Sequence, residues 1–271
     1  MDTVQKIRPA AVAGSFYPES PTELAREVDT LIRAAAPAHA TRAPKALIVP
    51  HAGYGYSGPV AASAYATLAA ARHAIRRVVL LGPTHRVALR GLALPQATAF
   101  ATPLGTVALD EALALVLRDL PQVTQSDAPH RLEHSLEVQL PFLQAALEEF
   151  SLLPLAVGDA TVREIAEVLD RVWGGAETLI VVSSDLSHYH AYAEAQRLDR
   201  NTAGQILALS PLSDFDQACG ALPVNGLIDC ARRRGLVPRL LDLRNSGDTA
   251  GDKSRVVGYG AFAFDAANGD D

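Results

Sequence analysis

The residues of this chain best suited to chemistry stand where apolar runs end. His51 closes one run in LIVPHAGYGYSG (47–58), His85 closes a second in VVLLGPTHR, and Asp185 and His188 follow a third in LIVVSSDLSHYH. In open α/β sheets ligands gather in the crevice beyond the carboxyl ends of the strands. Three such stretches argue for one shared site. His51, His85 and Cys219 form the sharpest group, because imidazole and thiolate are good ligands for Fe, Zn and Cu. Three protein ligands also leave positions open for water, oxygen or substrate. Each has a plainer reading alone: a free cysteine is commonly a small buried hydrophobe, and a single histidine a hydrogen-bonded structural residue. A glycine lies near each of the three, at Gly53, Gly82 and Gly220, but sequence spacing does not by itself bring them together.

Glu133, His134 and Glu137 make a second group. On a helix His134 and Glu137 share a face, so an imidazole and a carboxylate would point into one cleft for proton transfer or for orienting a ligand; ordinary polar residues on a surface helix are the competing reading. Asp185 could orient an imidazole or accept a substrate proton, and His188 could act as an acid or base near neutral pH. Ser183, Ser184 and Asp185 equally suit a helix cap. No nucleophile elbow, P-loop or dinucleotide-binding glycine pattern occurs in its required context, which counts against those enzyme classes.

The elements that must hold these residues alternate. Ser20, Pro21 and Glu23 predict a capped helix start before the apolar stripe Leu24, Val28, Leu31 and Ile32. After an Ala- and Pro-rich connection (34–44), a strand at 46–49, a helix from about 59 to 71 and a strand at 77–81 follow in the order of a parallel crossover. Residues 91–109 read as two or three short strands, an antiparallel excursion from the main sheet. A helix at 110–120 is capped by Asp110, and Pro141 forces a fresh helix start. A strand at 152–157, a helix boxed by Thr161 and Glu164, and a strand at 178–182 come next. Helices near 193–209, 213–218 and 223–234 and closing strands at 237–243 and 256–264 complete the chain. The fold expected is α/β, a mixed and mainly parallel central sheet with helices on both faces. It forms a single domain over 1–271, with an extended N-terminal segment (1–19) and a tail (265–271) that frays. Within that first segment the adjacent rings of Phe16 and Tyr17 either pack on the domain or line a cleft.

A formal net charge of -6 among 271 residues argues against nucleic-acid or anionic-membrane partners, which need clustered basic side chains. The opening MDTVQKIRPA has no apolar core of a signal peptide, no run is long enough to span a bilayer, and two cysteines do not make a disulfide framework. The expectation is a cytoplasmic protein.

Taken together, AGSFYP, PHAGYGYSG, LGPTHR, EHSLEVQLPF, VSSDLSHY, CGALPV and GYGAFAF resemble, in order and over nearly the whole chain, the Memo family, whose bacterial and archaeal members are called AmmeMemoRadiSam system protein B. That resemblance implies a fold like the class III extradiol, LigB-type, dioxygenases. It implies a metal held by His51, His85 and Cys219, with His134, Asp185 and His188 lining the pocket in catalytic roles. Phe16 stands where animal members carry tryptophan. A thiolate in place of the dioxygenases' carboxylate shifts metal preference and redox potential, so ring cleavage does not follow from the fold. The reading favoured is a non-heme-iron redox protein, Fe(II) first and Cu or Zn after it, acting on a small-molecule substrate or oxygen. The alternative is a non-catalytic module that binds a peptide or protein partner through the same cleft, within a system containing a radical-SAM enzyme. A zinc hydrolase using Glu137 or Asp185 as base is a third.

Overall fold

The computed structural model describes residues 6–35, 43–213 and 215–266. Its strands are β1 (Ile7–Arg8), β2 (Ala46–Val49), β3 (Arg77–Pro83), β4 (Leu92–Leu94), β5 (Ala99–Thr102), β6 (Gly105–Ala108), β7 (Val123–Gln125), β8 (Ser151–Val157), β9 (Thr178–Ser183), β10 (His188–His190), β11 (Val237–Asn245) and β12 (Val256–Asp265). The helices are α1 (Pro21–Ala35), α2 (Tyr54–Tyr65), α3 (Glu111–Leu115), α4 (Ala128–Arg131), α5 (Leu140–Ala146), α6 (Val162–Arg171), α7 (Tyr192–Leu207), α8 (Ala221–Arg233) and α9 (Ser246–Thr249).

Nine strands form the main sheet in the order β10-β12-β2-β9-β3-β8-β4-β7, with β11 on the other side of β12. The central strands β2, β9, β3 and β8 are mutually parallel, while β12 and β4 run antiparallel to them. The period-two alternation of side chains divides the core in two. Ile48, Val79, Leu81, Ile180 and Val182 face one layer with α6 and α8. Leu47, Val49, Val78, Leu80 and Val181 face the other, with α1, α2 and α5. Both faces are covered, which is why these strands are continuously apolar.

The departures from expectation are local. The helix expected from 59 begins at Tyr54, because Gly53 supplies an extended N-cap and its carbonyl takes the first amides; Pro59 lies inside the helix. Of the excursion at 91–109, β4 joins the main sheet but β5 and β6 form a separate three-stranded sheet with β1. The helix capped by Asp110 closes after Leu115. No helix forms at 215–218, where 215–217 make a turn, and Ser183 to Asp185 start no helix, because 184–187 are irregular and lead into β10. The start forced by Pro141 falls at Leu140, and the Thr161–Glu164 capping box is present. The expected tail starts inside β12, which holds Asp265; residues 267–271, like most of the connection at 34–44, lie outside the described residues.

Candidate metal centre

Because β2, β3 and β9 are parallel neighbours, their carboxyl ends open on one side of the sheet, and His51, His85 and Asp185 arrive there together. A cavity of about 1240 Å³ lies over these ends, lined by His51, His85, His134, Asp185, His188 and Cys219 among others. All six residues expected at the site therefore share one cavity. Cys219 does not come from a strand end; it enters just ahead of α8.

The imidazoles pack ring on ring. His85 and His134 stack with centroids 4.8 Å apart, and His51 meets them edge-on at 5.2 and 5.4 Å. Nitrogens of His51, His85 and His134 all lie within 4.8 Å of one another, a cluster able to hold a metal ion. A third imidazole thus joins the two expected as ligands, in a place the sequence reading gave to the thiolate. Cys219 adjoins the cluster through His51, with Sγ 3.2 Å from Nε2. Two ligand atoms at about 2.0 and 2.3 Å from one ion stand roughly 3.1–3.6 Å apart, so that separation suits a shared metal.

The Nδ1 atoms of His51 and His85 are engaged from behind. His51 Nδ1 is 2.9 Å from Ser183 Oγ. His85 Nδ1 is 2.9 Å from Glu133 Oε1, and the backbone amide of His85 donates to Glu133 Oε2 at 2.6 Å. The amides of His134 and Ser135 donate to Glu133 Oε1 as well, at 2.9 and 3.0 Å. Burial opposes ionisation of Glu133, yet the adjoining His134 side chain and the hydrogen-bonded His85 overcome it and hold the carboxyl well below the usual range. An ionised carboxylate only accepts, so His85 presents Nδ1–H to it and turns Nε2 away from it. Such partners behind the ring are what metal-binding histidines ordinarily show. The Nδ1 of His134 is 3.1 Å from Glu133 Oε1 without hydrogen-bond geometry, and is otherwise buried and unpartnered.

Burial, reinforced by the neighbouring imidazoles His85 and His134, pushes the pKa of His51 well below its ordinary value, leaving it neutral and able to ligate. Burial likewise raises the Cys219 thiol, with the nearby Asp185 carboxyl adding to the effect. The backbone amide of Asp185 reaches Sγ at 3.3 Å. Asp185 itself accepts the His51 amide at 2.7 Å, so it fixes the backbone of His51 rather than an imidazole.

Glu137 leaves the site. It is fully buried, paired with Arg8 at 2.5 Å, and accepts from the Tyr17 hydroxyl and the amides of Ala11 and Val12. Its neighbours 134–136 are not helical, so His134 and Glu137 share no helix face, and the carboxylate that meets His134 is Glu133. Glu137 instead pins the N-terminal segment, whose Phe16 ring packs on His134 at 4.7 Å while Tyr17 is buried. Both readings of the aromatic pair hold, one for each ring. Gly82 lets this arrangement close, since a Cβ there would sit 2.8 Å from Ser135 Oγ. Ser183, a cap candidate by composition, and Gln139 bond to each other behind His51. An amide inside the apolar run LEVQLPF was the available signal, because a buried amide must find partners.

Fold and site together define an α/β protein with an imidazole-rich cavity at the ends of its parallel strands. The chain belongs to the Memo family: the family model described as Memo-like protein matches residues 8–263. A MEMO1 family protein of Aquifex aeolicus is 35% identical, covering 96% of this chain and 99% of its own. One of Aeropyrum pernix is 37% identical, covering 94% and 99%. Among solved structures, an uncharacterized protein of Escherichia coli K12 superposes with a TM-score of 0.50 at 14% identity, covering 82% of this chain and 100% of its own, a likeness of fold alone. Among the described residues no helix is long and apolar enough to cross a membrane.

Proposed function

We propose that this protein is a metal-dependent redox protein, with His51, His85 and Cys219 holding iron, or copper in its place, and acting on a small substrate or oxygen. What carries the reading is the way Ser183 and Glu133 occupy the Nδ1 sides of His51 and His85, which turns unprotonated Nε2 atoms toward the ligand position. Imidazole and thiolate donors suit iron, copper and zinc. The bound ion would supply open coordination positions and a redox couple. The protein's own contribution is orientation and proton handling. Glu133 sets the ring of His85 and the backbone of His134, Asp185 sets the His51 backbone, and His134 and His188 face the cavity, where they can hold or pass a proton. A cavity of about 1240 Å³ is far larger than a closed structural metal site needs, which favours a site that admits a substrate.

Elemental analysis of protein purified without added metal tests this. Stoichiometric iron or copper is expected in the wild type, with marked loss in His51→Ala and Cys219→Ser. Unchanged content in both variants sinks the site; loss in His51→Ala alone moves the third ligand from Cys219 to His134. The second reading, a module binding a peptide or protein partner, rests on Tyr189 and Phe215, exposed rings at the cavity mouth. Metal-free protein that still binds its partner through the cleft would favour it.

A further inference from the structure

We infer that Ser183 is a positioning residue that fixes His51 as the Nδ1–H tautomer and so decides which nitrogen faces Cys219 and the cavity. The inference deepens the metal-centre reading and rests on it only for its metal-binding arm. Gln139 Nε2 lies 2.9 Å from the Pro50 carbonyl, which can only accept, so this end of the amide is the donor. The same Nε2 donates to Ser183 Oγ at 2.9 Å, and the Tyr65 hydroxyl donates to Oε1 of the amide at 2.8 Å. Ser183 has a single hydroxyl hydrogen, and the Ser135 carbonyl takes it at 2.6 Å. Its oxygen can then only accept from His51 Nδ1, 2.9 Å away. The lone pair of His51 is left on Nε2, 3.2 Å from Cys219 Sγ.

Strand register places the hydroxyl. Ser183 closes β9 opposite Val49 of β2, two residues before His51. The serine is fully buried, as is Gln139, so water cannot replace either partner. The Ser135 carbonyl that orients the hydroxyl belongs to the segment carrying Glu133 and His134. The tautomers of His51 and His85 are thereby set from one stretch of chain.

Nitrogen-15 correlation spectra of the imidazoles in metal-free protein test the tautomer directly. The expected wild-type pattern for His51 is a protonated Nδ1 and an unprotonated Nε2. Ser183→Ala should move His51 toward the Nε2–H form and weaken iron(II) binding, measured by chelator competition, by about 10- to 100-fold. Ser183→Thr, which keeps the hydroxyl, should retain the wild-type pattern. An Nε2–H His51 in the wild type overturns the inference whatever the folding of the variants. So does Ser183→Ala with an unchanged spectrum and unchanged affinity. A wild type with the expected tautomer that binds neither iron nor copper supports this inference while sinking the metal-centre reading.

Discussion

At the scale of single residues, Glu133 carries the heaviest duty in the site. One buried carboxylate receives the amide and the Nδ1–H of His85 and the amides of His134 and Ser135. Glutamine would keep the shape but turn an NH₂ toward some of those donors, leaving buried N–H groups without acceptors. Glu133→Gln is therefore expected to lower stability by about 1–3 kcal/mol and to weaken metal binding roughly 10- to 100-fold, because His85 loses its orienting partner. Urea denaturation and chelator competition on the same preparation read the two effects. Wild-type affinity in a folded Glu133→Gln protein would show that the ring of His85 is oriented by packing instead. Glu137 makes the contrast instructive, since an equally buried glutamate four residues on serves the N-terminal segment and touches no imidazole of the cluster.

At the scale of elements, helix α7 steadies the link between β9 and β10 through one buried carboxyl. Asp199 Oδ1 accepts the Ser187 amide at 3.0 Å, and a Cβ on Gly258 would come within 2.1 Å of Oδ2, so glycine there makes room for it. Burial pushes the Asp199 carboxyl up to about 6. In the unfolded chain it titrates near about 3.9. Between those values the folded state binds the extra proton, so this group's contribution is full below about pH 4 and is lost as pH rises to about 6. Two units correspond to about 2–3 kcal/mol. Asp199→Asn keeps an acceptor for Ser187 and never ionises, and is expected to remove that slope and to melt above the wild type at pH 7. Equal pH profiles for the two proteins between pH 4 and 7 would refute the assignment. The same scale shows what the sequence made legible. Parallel strands and their ends followed from apolar runs and turn residues, and so did His51, His85 and Asp185 at the crevice. Local composition suggests a helix over 213–218, yet 215–217 make a turn, and the helix face expected for His134 and Glu137 does not form where Arg8 clamps Glu137 from the N-terminal segment. The roles of Gln139 and Ser183 depend on register between β2 and β9, which no local pattern encodes.

For the whole molecule, the site draws on segments spread from Phe16 to Cys219, so an ion held there would tie the N-terminal segment, three strand ends and the start of α8 into one unit. The unfolded chain offers the same donors, but scattered along its length, so the ion should favour the folded state. At a free metal concentration 100 times the dissociation constant that preference adds about 2.7 kcal/mol to stability. For a domain of this size each kcal/mol moves the melting temperature by about 2–4 °C, so a rise of roughly 5–10 °C is expected on loading. Chelation should reverse it, and His51→Ala should abolish it while leaving the metal-free melting temperature measurable for comparison. Glu137→Gln gives the control from outside the cluster. It should lower the melting temperature, since it weakens the buried contact with Arg8, yet keep the metal-dependent rise. A rise that survived in His51→Ala would place the stabilising ion elsewhere on the molecule.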